Sequence, residues 1–205
     1  MNVCYRSVGN RCAVHLESLK LPISNEEALG GLERMGFKQL KVDMNALARE
    51  CIQKSKYRRG ARPVEAPEIV DCSSFSKWIY GQRGIWLPRR SIQQRECGET
   101  VQIDQMSEGD LVFVKGVFDW YYDDPEDGVG HVGIISGNET VIHAADADSN
   151  VIESSFERFI SKLKFRGIRR CIPLNAEVIT LEIPSTRDVE TSDDLRWLIL
   201  QTLTR

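Results

Sequence analysis

One thiol and two imidazoles in this sequence have a context suited to acyl-transfer chemistry. Asp71-Cys72-Ser73-Ser74 ends a polar loop, and Phe75, Trp78 and Ile79 follow at helical spacing until Gly84. Cys72 therefore falls at or near the first turn of an expected helix. Free backbone N–H groups and the helix dipole favour a thiolate there. The same amides can stabilise an oxyanion that develops as sulfur attacks a carbonyl. The competing reading is a buried cysteine that packs as a small hydrophobe. The other five cysteines have weaker contexts: Cys51 lies on an apolar helical face, Cys97 and Cys171 follow charged residues, and Cys4 and Cys12 lie in a segment with no catalytic partner nearby.

Imidazoles are scarce: His15, His131 and His143 are the only histidines. His131 precedes Val132-Gly133-Ile134-Ile135, and His143 follows Val141-Ile142, so both border strand-like apolar runs around Gly137-Asn138. Side chains alternate along a strand, so the parity of the hairpin decides whether the rings meet. A two-residue Gly137-Asn138 loop, which the local turn signal favours, puts them on opposite faces. An odd loop, or an equivalent bulge at Gly137, puts them on one face. The chemistry requires the second arrangement, and that is the expectation. One imidazole would then take the thiol proton and later protonate a leaving amine, while the other holds it in the useful tautomer. A zinc site of Cys72 with the two histidines is the weaker alternative.

The elements that must position these groups are legible in outline. Ser24 and Glu27 form a capping-box pattern ahead of Ala28, Leu29 and Leu32. A second helix is expected from Asp43 to about Lys56, a loop over 57–71, and short helical turns from Ser91 to Cys97. Strands are expected at Leu111–Val114, His131–Ser136, Thr140–Ala145, Val151–Ser154, Gly167–Ile172 and Val178–Ile183, with a last helix after Thr191. Helices first and antiparallel-looking strands afterwards make this an α+β chain. The expected division is an N-terminal extension over 1–42, a catalytic domain over 43–172, and a C-terminal strand–helix extension over 173–205.

Composition narrows the function class. With 205 residues, 41% hydrophobic and 28% charged, the chain is neither disordered nor too small for a core. The net charge of −3 gives none of the basic excess usual in a nucleic-acid binder. No run approaches the ~18 apolar residues of a membrane span. The first residues contain no apolar stretch of signal-peptide length. For a complete chain the expectation is thus cytoplasmic, with release by a signal-independent route as the alternative. The long chain and ordinary core composition favour free thiols over disulfides.

Taken together, Asp71-Cys72-Ser73-Ser74-Phe75, Leu87-Pro88-Arg89, Gly109-Asp110-Leu111-Val112-Phe113, His131-Val132-Gly133-Ile134 and Ile142-His143-Ala144 closely resemble the NlpC-type cell-wall cysteine peptidases. The resemblance covers about residues 43–155. It implies a papain-like α+β core, with the nucleophile helix packed on an antiparallel sheet. It implies Cys72 as nucleophile, His131 as base and His143 as the ring-orienting third residue. It also implies hydrolysis of the bond between γ-D-glutamate and a diamino acid in peptidoglycan-derived peptides, without cofactor or metal. In the same resemblance Tyr57 lies beside the nucleophile, Asp71 and Ser73 contact the substrate's free amine and backbone, and Arg89 has a structural share; Tyr57, Asp71, Ser73, Ser74 and Arg89 are the expected substrate-binding residues. Gly109-Asp110 reads as a structural turn.

The sequence also departs from that pattern. Tyr57-Arg58-Arg59-Gly60-Ala61 replaces an aromatic, glycine-rich stretch, and the arginines suit a carboxylate-bearing ligand. Ser74 stands where glycine is usual and is expected to narrow the cleft at the helix turn. Residues 119–128, rich in acids and aromatics, are expected to be a solvated surface loop, with a cleft wall as the alternative. A transferase or amidase with the same triad, and an inactive binding protein on the same fold, are the competing functions.

Overall fold

The computed structural model describes residues 4–137, 139–161 and 165–203. Asn138, in the expected hairpin loop, lies outside the described residues, as do residues 1–3 at the start of the chain. The chain forms two compact units: residues 1–42, 80–86 and 173–205 make one, and residues 43–79 and 87–172 make the other.

In the first unit β1 (Arg11–His15) and β2 (Lys38–Leu40) flank β11 (Val178–Glu182) in an antiparallel sheet of order β1-β11-β2. The two chain ends, expected as separate extensions, thus share one sheet. Helix α1 (Asn25–Arg34) starts on the expected box: Ser24 Oγ accepts from the Glu27 amide, and the Glu27 carboxylate accepts from the Ser24 amide. Helix α6 (Ser192–Leu203) starts with Asp194 accepting from the Thr191 amide at 2.8 Å. Leu32, Leu181, Leu195 and Ile199 are among the residues that close this unit's core.

The second unit holds Cys72, His131 and His143. Helix α2 (Met44–Glu50) is capped by Asp43 as expected but stops nearly two turns early, and Gln53, three residues on, takes a left-handed φ of 64°. The expected 57–71 loop begins and ends in a short parallel pair, β3 (Lys56–Tyr57) with β4 (Ile69–Val70). Helix α3 (Cys72–Gln82), of which residues 72–79 belong to this unit, and helix α4 (Ser91–Gln94) follow. A six-stranded antiparallel sheet completes the unit, in the order β5-β10-β6-β7-β8-β9. Its strands are β5 (Glu99–Val101), β6 (Leu111–Val114), β7 (His131–Gly137), β8 (Thr140–Asp146), β9 (Asn150–Ser155) and β10 (Phe165–Arg170), with α5 (Phe156–Ser161) after β9. Helices packed on an antiparallel sheet are the papain-like α+β architecture. Asp110, buried at the start of β6, takes two charge-assisted bonds from Arg170, at 2.9 and 2.6 Å, and is structural as expected.

The β7–β8 register settles the parity. Ile134 faces Ile142 and Ile135 faces Val141, but Gly137 faces Thr140, so the register shifts between Ile135 and Gly137. Gly137 has φ of +85°, a conformation open to glycine and strained for other residues. A bulge there absorbs one residue, so the two histidines keep one face. His131, Gly133, Ile135, Val141 and His143 therefore share one face. Val112, Val114, Ile135, Val141, Phe159 and Ile168 form a core cluster there, and the two rings stand at its end.

Candidate active site

Cys72 is the first residue of α3, and a reciprocal cap fixes that start. The Ser74 amide donates to Asp71 Oδ1 at 2.8 Å, and the Asp71 amide donates to Ser74 Oγ at 2.8 Å. Buried Gln94 from α4 ties down the same turn: its amide group donates to Ser73 O and Pro88 O and accepts from Ser76 Oγ. Nothing in local periodicity announced Gln94, whose partners lie 6 to 21 residues away.

His131 Nε2 and His143 Nδ1 are 3.0 Å apart, with the rings nearly perpendicular at 86°. Phe159 packs against both, its ring centre 5.5 Å from His131 and 4.8 Å from His143. Gly133 makes room for this packing: a Cβ there would lie 2.3 Å from Val141 Cγ1 and 3.3 Å from His143 Cβ. His143 Nε2 is 3.2 Å from Ser154 Oγ on β9. Sequence reading missed Ser154. His143 faces Ile152, so Ser154 is its diagonal neighbour on the same face, a relation that needs the β8–β9 register.

Cys72 and both histidines line one cavity of about 490 Å³. A second cavity, of about 570 Å³, reaches Cys72 together with Asp71, Ser73 and Arg89. Tyr57, Arg59, Phe118 and Gly130 line both, so the thiol sits between two halves of one cleft. Cys72 Sγ is 3.9 Å from Gly130 O.

Burial sets the charge state. It pushes the Cys72 thiol up to about 12, reinforced by Asp71 and opposed by the amides of Val132 and Ser73 and by Arg89. Burial also pushes His131 down to about 4 and, with the His131 ring as a secondary cause, His143 down to about 3. The expected thiolate at the helix start is thus corrected: desolvation outweighs the first-turn amides, and the thiol and imidazoles are neutral. This state has a consequence for stability. Between the ordinary histidine value of 6.5 and about 4, the unfolded chain takes up protons that the folded site refuses. Stability is fully present above that window and falls with pH through it, by up to about 1.4 kcal/mol per pH unit for each histidine. Denaturant titrations at pH 7, 5.5 and 4.5 should show a smaller loss in His143→Gln than in the native protein; equal losses would contradict a neutral buried pair.

The residues assigned to substrate contact divide. Tyr57 lines both halves of the cleft, and its phenol is raised first by burial. Ser73 and Arg89 line the second half but already bond to each other, with Arg89 Nη1 2.8 Å from Ser73 Oγ. Arg89 also donates to Ala61 O and to both Asp71 oxygens. Asp71 further accepts from Gly60 N, Ser73 Oγ and Ser74 N. Five donors on its two oxygens make Asp71 part of the frame around the helix start, and it also lines the second half of the cleft. Ser74 is 1% exposed, is spent on the cap and is not a cleft residue, which corrects its expected role. Arg58 pairs with Glu65, whereas Arg59 enters the cleft. The 119–128 segment is not only a solvated loop: Trp120, with Phe118 just before it, forms cleft wall, and Asp127 takes two bonds from Arg95, at 2.8 and 2.6 Å.

Comparison with known proteins bears on this arrangement. The chain is 35% identical over 91 residues to a probable endopeptidase of Corynebacterium glutamicum, covering 44% of this chain and 38% of that protein. It is 27% identical over 101 residues to the γ-D-glutamyl-L-lysine dipeptidyl-peptidase of Bacillus subtilis, covering 49% and 32% respectively. The chain therefore spans well under half the length of these relatives. The solved structure of NlpC1 from Trichomonas vaginalis has a similar fold, with a TM-score of 0.52 and 24% identity over 62% of this chain and 42% of that one. The family model described as NlpC/P60 matches residues 53–170, a span that holds Cys72, His131 and His143, and the chain belongs to the NlpC/P60 family.

Proposed function

We propose that this chain is a cysteine peptidase that hydrolyses the bond between γ-D-glutamate and a diamino acid in peptidoglycan-derived peptides. The observation that carries the reading is the placement of a helix-start thiol in one cavity with two hydrogen-bonded imidazoles. The relative from Bacillus subtilis, named for γ-D-glutamyl-L-lysine, supports the bond assignment.

The choice of base fixes the tautomers along the hydrogen-bond chain. A base at His131 Nδ1 requires the His131 proton on Nε2, where it is donated to His143 Nδ1. His143 must then carry its own proton on Nε2 and donate it to Ser154 Oγ. His131 takes the thiol proton as sulfur attacks the carbonyl, so deprotonation accompanies attack rather than preceding it. The imidazolium next protonates the departing amine and leaves an acyl thioester. Water, activated by the same imidazole, hydrolyses it to the acid and returns the thiol.

Incubation with defined γ-D-glutamyl peptides, with products identified by mass, tests the reading. Cleavage at the γ-glutamyl bond supports it, and intact peptides with active-site thiol present would overturn it. Products joined to an added amine would instead identify a transferase. Within the same reading, Ser154→Ala should lower kcat about two- to tenfold with little change in KM, the worth of one net hydrogen bond. Ser154→Thr should restore most of the rate. Loss in KM alone, or no rescue by threonine, would remove Ser154 from the chain of proton holders.

A further inference from the structure

The two halves of the cleft differ in charge. The half that contains the histidines mixes Arg59 and Arg158 with Asp146. The other half sets three guanidiniums, Arg59, Arg89 and Arg90, against the single carboxylate of Asp71. Arg89 is committed to Asp71, Ser73 and Ala61. Arg59 and Arg90 have no acidic partner among the described residues. Each lies over an aromatic ring instead: Arg59 Cζ is 3.7 Å from the centre of Phe118, and Arg90 Cζ is 3.9 Å from that of Trp120. A cation–π contact holds a guanidinium by its face and leaves the N–H groups on its edge free to donate. Both rings come from the segment before β7, whose end is anchored by Arg95 on Asp127 and Arg166 on Gly128. Two cations with unspent donors thus flank one side of the thiol, on supports that limit their freedom.

We propose that this half of the cleft is a selectivity site for a carboxylate carried by the substrate, bound by Arg59 and Arg90, with Phe118 and Trp120 holding the guanidiniums in place. The inference deepens the peptidase reading and rests on it. Planar guanidinium donors match the two oxygens of a carboxylate, and wall peptides supply such groups. Asp71, already saturated by Arg89 and its other donors, does not compete for the two arginines. Selection is therefore for an acid on the substrate.

The test uses paired γ-D-glutamyl peptides that differ only in whether one carboxylate is free or amidated, each carboxylate being varied in turn. For one of these positions the native protein should prefer the acid by at least about tenfold in kcat/KM, the worth of a charge-assisted hydrogen bond. In the Arg59→Gln/Arg90→Gln double variant that ratio should fall to about threefold or less. Arg58→Gln, which alters the arginine paired with Glu65, should keep the native ratio. No acid preference in the native protein, an unchanged ratio in the double variant, or an equal fall in Arg58→Gln would each overturn the site. If the native protein cleaves none of the peptides, the peptidase reading fails by itself. The same pairs are then titrated calorimetrically into Cys72→Ala protein. Tighter binding of one acid form, lost in the double variant, upholds the carboxylate site, and equal affinities overturn it.

Discussion

Cys72→Ala is expected to abolish hydrolysis, with a loss of at least about 10⁴-fold in kcat, while the protein stays folded. The loss is large because the proposed reaction passes through a thioester, and among the described residues no other thiol lines either half of the cleft. A hydroxyl or water would have to attack directly, without the covalent intermediate. The fold should survive because the cap that starts α3 belongs to Asp71 and Ser74 and not to Cys72. The thiol is neutral, so its removal strands no buried charge, and the missing sulfur leaves a gap that opens onto the cleft. Turnover measured beside circular dichroism decides the matter. A folded alanine variant that still cleaves the peptide would require another nucleophile.

His131→Ala should cost about 10²- to 10⁴-fold in kcat, the range for loss of a positioned general base. His143→Gln should cost clearly less. A glutamine carbonyl can accept from His131 Nε2, and its amide can donate to Ser154, so both ends of the hydrogen-bond chain keep a partner. His143→Ala breaks that chain at both ends and should fall between the two. Steady-state rates on one peptide rank the three variants. A larger loss from His143→Gln than from His131→Ala would exchange the roles of the rings. Equal losses would argue against any division between base and orienter.

Several features of the site were legible because they depend on near neighbours. The polar cap ahead of Phe75 and Ile79 marks the start of α3 and so delivers Cys72 to a helix terminus. Alternation in the two strands reduces the meeting of His131 and His143 to a question of parity. Gly137 marks a place where the backbone can leave the regular ladder, and the structure has a bulge there. The shared face was therefore a conditional statement in the sequence. The number of residues in the turn did not settle it, because a bulge changes parity without lengthening the turn.

What the sequence determined by itself is chemical and local: one cysteine at a helix start, two strand histidines, an α+β order of elements and the motifs of a family. Tertiary structure decided which groups remain free to act. Ser154 reaches His143 through the pairing of β8 with β9, 11 residues away. Asp71 is paired with an arginine 18 residues on, which makes it part of the frame around the helix start. Phe118 and Trp120 become cleft wall because Arg59 and Arg90 approach their rings from distant loops. The charge state of Cys72 also depends on what buries it. The helix terminus favours a thiolate locally, but removal from water raises the thiol by more than the first-turn amides lower it. Periodicity and spacing report which residues share a turn or a face; desolvation and long-range partners exist only once the chain has folded around them.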